Sequence, residues 1–188
     1  MTTFFAYNPN PIIWYKIFTF TQSTMHTNYL ILRIMTKYYK YKFIVDDDVK
    51  KEFSIYNPSQ IAFYVMTYLN HPGGWGKYGY FFEPVESRET LLIRLSSPQT
   101  IQKICGDGNL SCAELGGRFM YLNANRWFNG SKESKLKLDD YRQYMISHEI
   151  GHILGHDHKK CPCKDCDAPI MMQQTLGIGK CKPNSSVN

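Results

Sequence analysis

The sequence holds no apolar run that approaches the roughly 18 residues of a membrane-crossing helix, so no segment reads as a span. Its first residues do not follow the secretory pattern of a basic start, an apolar core and a small-residue cleavage site. Residues 11–20, PIIWYKIFTF, are apolar and aromatic, but Lys16 interrupts them and no A-x-A-like site follows. No internal repeat is present, which sets aside solenoid and propeller architectures. Charged residues are only 20% of the chain against 43% apolar, which excludes a disordered polyelectrolyte. Cysteine is missing from the whole first half, and all six cysteines lie at or beyond Cys105.

What is present suits one globular domain. A chain of 188 residues can bury a single sizeable core. The net charge of +6 and pI near 8.9 read as a solvated basic face, and no nucleic-acid partner is expected. Residues 1–36 lack periodicity and include Asn8-Pro9-Asn10-Pro11, so they read as an N-terminal extension to a domain at 37–188. Residues 38–45 alternate tyrosine and lysine before Phe43-Ile44-Val45, a strand stopped by three aspartates. Asn57-Pro58 caps a helix to about Asn70, with Ile61, Val65, Tyr68 and Leu69 on one face. Strands are predicted at 80–85 and 91–95 around a polar turn, and Ser97-Pro98 opens a short helix into Cys105. A further strand covers 118–123, Trp127 reads as core, and a long helix starts near Leu138-Asp139. Along that helix Tyr141, Met145, His148 and His152 form one stripe.

The stretch at 148–158, HEIGHILGHDH, concentrates four of the six histidines. His148 and His152 are four apart, so on a helix both imidazoles leave one face and can meet one ion. Glu149 stands beside the first, where its carboxylate can act on water without ligating. That is the H-E-x-x-H arrangement of zinc hydrolases. Gly155 tolerates φ > 0 and lets the helix end in a reversal. The chain can then present His158 as a third nitrogen, with His156 as its competitor. Three protein ligands leave a fourth tetrahedral position open, which marks a catalytic rather than a structural site. Gly151, inside the helix, implies close packing behind the site.

The cysteines suggest disulfides and hence an oxidising or secreted setting. Cys105 and Cys112 enclose a short glycine-containing loop that a disulfide could close. Cys161, Cys163, Cys166 and Cys181 allow three pairings, or a structural zinc held by four thiolates.

His148, Glu149, His152, Gly155 and His158 together resemble the long H-E-x-x-H-x-x-G-x-x-H signature of the metzincin zinc peptidases. That family places a methionine beneath the metal in a tight Met-turn, and Met171, in Ala168-Pro169-Ile170-Met171, looks like that residue. The metzincin spacing selects His158 over His156. The chain also resembles a domain of unknown function found in secreted bacterial proteins. The shared residues are Cys105 and Cys112, Asn123, Arg126 and Trp127, Tyr141 and Arg142, the run 168–175 and Cys181-Lys182-Pro183-Asn184. This likeness covers roughly residues 38–184 and favours a Cys161–Cys181 pair.

The resemblance implies an α+β, zincin-like (metzincin) single domain with a mixed sheet, a zinc-binding active-site helix and a Met-turn. It implies a Zn2+ cofactor held by His148, His152 and His158, with Glu149 as general base, acting on a peptide or protein substrate. The chain is expected to be a monomer. In metzincins the strand before the zinc helix is the edge that receives the substrate. Some members add a tyrosine after the Met-turn, whereas this chain has no tyrosine beyond Tyr144. Gln173 and Gln174 are candidates to orient substrate or stabilise an oxyanion. A zincin-fold binding module and an amide hydrolase of non-protein substrates are the alternative functions.

Overall fold

The first strand, β1 (Lys37–Val45), buries Tyr41 and Val45 and leaves its lysines outside or half outside. The computed structural model describes residues 36–55 and 57–188, all within the compact unit Thr36–Asn188. The expected N-terminal extension at 1–36 therefore lies, apart from Thr36, outside the described residues.

Four further strands join β1: β2 (Tyr80–Pro84), β3 (Leu91–Ser96), β4 (Cys112–Ala113) and β5 (Phe119–Asn123). Their order is β2-β1-β3-β5-β4, parallel throughout except for β4, which runs antiparallel to β5. The sheet is mixed and the class α+β. The strands around the polar turn at 86–89 are not partners, because β1 lies between them. β2 pairs along Lys37 to Tyr41 and β3 along Tyr41 to Val45. The chain thus switches sides of β1 at Tyr41 and continues in the same direction, which removes the long crossover that parallel neighbours usually need. The strand at 119–123 is not the edge either. A two-residue strand, too short to show alternation, takes that place.

Helices pack around this sheet. The three aspartates after β1 do more than stop it, since α1 (Asp47–Glu52) begins there with acids in its first turn and lysines in its last, as the helix dipole favours. Asp46 is buried, and its carboxylate accepts from Arg94 Nε and Nη2 and from Ser96 Oγ at 2.7–2.9 Å. α2 (Ser59–Leu69) buries Ile61, Val65, Tyr68 and Leu69, and Asn57 Oδ1 accepts from Ser59 N at its start. α3 (Pro98–Cys105) is capped by Ser97, and α4 (Ala124–Asn129) by Asn123. α5 (Leu138–Ile153) runs through the centre.

Eleven of the sixteen residues of α5 are buried, including Ile146, Ile150 and Ile153 as well as the histidine face. It is a central helix covered on most sides rather than a surface helix with one apolar stripe. Leu91, Ile93, Leu95, Met120 and Leu122 of the inner strands are fully buried, and each such side chain stabilises by about 1.5–3 kcal/mol. Trp127 is core, edge-on to Tyr68 and beneath the Arg142 guanidinium. No helix among the described residues is long and apolar enough to cross a membrane.

Candidate metal centre

His148, Glu149 and His152 project from the last two turns of α5. The helix then ends in a Schellman arrangement: Gly155 N donates to His152 O and His156 N to Gly151 O, both at 2.9 Å. This reversal needs a left-handed residue, and Gly155 supplies it with φ +89°. The chain doubles back and brings His158 to the two helix histidines. One nitrogen from each of the three rings lies within 4.8 Å of the others, and the Nε2 atoms of His152 and His158 are 3.1 Å apart. Two imidazole nitrogens on one tetrahedral zinc would stand about 3.3 Å apart, given bonds of about 2.0–2.1 Å.

The outward nitrogens explain the orientation. His148 Nδ1 lies 2.8 Å from Ile170 O, and His152 Nδ1 lies 2.9 Å from His156 O. A carbonyl only accepts, so each Nδ1 carries the proton and each Nε2 keeps its lone pair for an ion. Burial pushes the His148 imidazolium down to about 3, against an opposing effect of the Ile170 carbonyl. Burial also lowers His152. Both rings are therefore neutral at pH 7, the form that ligates. His156 joins through its backbone carbonyl, while its ring stacks on Trp75 with centroids 4.8 Å apart.

Glu149 is 4% exposed, and its Oε2 has no hydrogen-bond partner. Burial alone pushes its carboxyl up to about 8. A buried carboxyl without a partner is costly unless a cation or water completes it. Glu149 lines the same cleft, about 330 Å³, as the three histidines, and β4 and Leu115 form part of its wall. The donor set and the orphaned carboxylate both fit a bound divalent cation.

Behind the helix, Met171 is buried in a turn closed by Met172 N to Pro169 O at 2.8 Å. A side chain at Gly151 would collide with Met171 Sδ and stand 3.1 Å from Trp75 Cζ2, which accounts for the glycine. Gln174 does not face the cleft. It is fully buried, donating to Asn184 O at 2.7 Å and accepting from Asn184 N at 3.0 Å. Gln173, its neighbour, lines the cleft.

Disulfides join Cys105 to Cys112, Cys161 to Cys181 and Cys163 to Cys166, so no thiol remains for a thiolate zinc site. The first bridge ties the end of α3 to β4 at the cleft wall. Three disulfides are compatible with an oxidising location.

The chain matches, over residues 22–184, the family described as Protein of unknown function (DUF3152). It belongs to that family. No curated protein matches the chain. The DUF3152 match begins at residue 22, ahead of residue 38, where the likeness read from the sequence starts. Within this DUF3152 domain two supporting residues escaped the sequence reading. Trp75 donates to Ser147 O at 2.8 Å and backs the site from a segment far away in the chain, so no local signal marks it. Tyr144, one helical turn before His148, was recognisable by that spacing.

Proposed function

We propose that this chain is a zinc-dependent hydrolase of peptide bonds, with a zincin-like fold of the metzincin type. One observation carries the reading: the buried, unpartnered Glu149 carboxylate shares a cleft with three converging imidazoles. A site built only to hold an ion has no use for such a group.

His148, His152 and His158 would hold the ion through ring nitrogens, and neutral imidazoles suit zinc among divalent metals. Zinc, when bound, supplies positive charge that makes water acidic near pH 7 and polarises a carbonyl. Glu149 Oε2 takes a proton from the attacking water and delivers it to the leaving amine nitrogen. The Ile170 and His156 carbonyls keep two of the rings in the ligating tautomer through that cycle. Met171 beneath Gly151 corresponds to a Met-turn. β4 is the terminal strand of the sheet beside the cleft, and an extended peptide can add to such an edge.

The test compares wild type with Glu149→Gln on a broad peptide library, with metal content measured alongside. Cleavage should fall by at least about 10²–10⁴-fold, the usual contribution of a general base, with zinc retained. Equal cleavage by both proteins removes Glu149 from the mechanism. A zinc-loaded wild type that cuts nothing removes the peptidase reading.

A further inference from the structure

The turn after Met171 carries one polar side chain that the fold does not use. Gln173 has φ −72° and ψ 69°, and Gln174 N donates to Met172 O at 2.8 Å. That is an inverse γ-turn with Gln173 at its apex. Both ends are tied to one hydroxyl: Tyr144 Oη donates to Met172 O at 3.0 Å and accepts from Gln174 N at 2.8 Å. Tyr144 is buried on α5, with its ring centroid 5.5 Å from that of His148. Gln174 is clamped to the Asn184 backbone through its carboxamide. The backbone on either side of Gln173 is therefore fixed to the helix that carries His148 and Glu149.

The Gln173 carboxamide itself makes no hydrogen bond within the described residues, although Gln173 lines the cleft. Of the other polar side chains there, Asp107 and Asp157 are acceptors and Thr175 Oγ1 is paired with Tyr141 Oη. Ser111 Oγ accepts from Asn123 N and keeps its hydroxyl proton, but it stands beside β4 and not on the turn tied to α5 through Tyr144. No lysine or arginine lines the cleft. A neutral N–H donor on a rigid turn is what a developing oxyanion requires, because it stabilises charge without reorganising.

We propose that Gln173 is a catalytic residue of the hydrolysis described above, its Nε2–H donating to the scissile carbonyl oxygen as that oxygen becomes negative. This rests on the peptidase reading. Water oxygen bonds to the carbonyl carbon while the C=O π pair moves onto oxygen, where Gln173 meets it. The pair then returns, the C–N bond breaks, and the amine leaves with the proton held by Glu149. Gln173 exchanges no proton, so its contribution does not titrate.

The experiment uses the zinc-loaded full chain with a peptide that the wild type cleaves. Gln173→Ala should lower kcat by about 10²–10³-fold, the loss typical of one oxyanion donor, with KM and zinc content little changed. Gln173→Glu, which puts an acceptor there at neutral pH, should lose at least as much. A phosphinic peptide, whose tetrahedral anion imitates the charge, should bind Gln173→Ala more weakly by the same factor. Peptide affinity of Glu149→Gln should not change when Gln173→Ala is added. If wild type cleaves and Gln173→Ala keeps its kcat, Gln173 is not catalytic, although the Glu149 reading stands. If zinc-loaded wild type cleaves nothing, both proposals fall together.

Discussion

His148 and His158 belong to one cluster but are held by different means. His148 is 5% exposed, its Nδ1 is fixed by the Ile170 carbonyl, and tightly packed Gly151, Met171 and Trp75 lie just beyond it. His158 is exposed and, among the described residues, its ring pairs with the other two histidines alone, stacking on His148 with centroids 5.3 Å apart. Its position comes from the backbone: the Gly155 reversal, Asp157 Oδ1 accepting His158 N, and Lys159 N donating to Met171 O. The Cys161–Cys181 bridge fixes the loop that follows. The helix half is part of the core, whereas the loop half is an arm laid across it. The two should fail differently.

The largest effect is expected at His148. His148→Ala should abolish tight metal binding and also destabilise the metal-free fold by about 1–3 kcal/mol, because the Ile170 carbonyl loses its buried donor. His158→Ala should weaken metal binding strongly yet leave metal-free stability within about 0.5 kcal/mol, as for an exposed side chain. Denaturant melts and zinc titrations of both variants measure this. Equal losses of metal-free stability would break the distinction between the two halves.

A smaller effect is the pH dependence of the helix half. His148 is depressed to about 3, so its contribution to stability is complete above its unfolded value near 6.5 and is lost as pH falls toward 3. Glu149 is raised to about 8, so its contribution is complete below its ordinary value of 4.5 and is lost as pH rises through 8. The metal-free protein should therefore be most stable between these limits, near pH 4.5–6.5. Zinc should add most stability at the alkaline end, where protons no longer compete for the rings and a cation favours ionised Glu149. Thermal melts across pH, with and without zinc, should show the gap widening as pH rises. A gap that narrows would contradict the site chemistry.

The residues of the centre were legible because their logic is local. Ligand spacing, the neighbouring acid and the reversing glycine all lie within the stretch from His148 to His158. The Ser97 cap was legible for the same reason, whereas the helix expected to start from an Asn57 cap has Pro58 as its N-cap, with Asn57 Oδ1 accepting from Ser59 N just ahead of it. What escaped depended on contacts distant in sequence. β4 has only two residues, so no alternation could reveal that it, rather than 119–123, ends the sheet. The side switch of β2 and β3 at Tyr41 depends on register, which a turn at 86–89 does not encode. Gln173 and Gln174 are indistinguishable in sequence. Burial against Asn184 separates the buried clamp from the cleft residue.

X-ray absorption at the zinc edge of the purified, metal-loaded protein tests the centre most directly. One zinc per chain is expected, with three imidazole nitrogens and one oxygen at about 2.0–2.1 Å. Glu149→Gln should leave that spectrum intact, and His158→Ala should remove one imidazole from it. A sulfur shell at about 2.3 Å, or a first shell unaltered in His158→Ala, would contradict it.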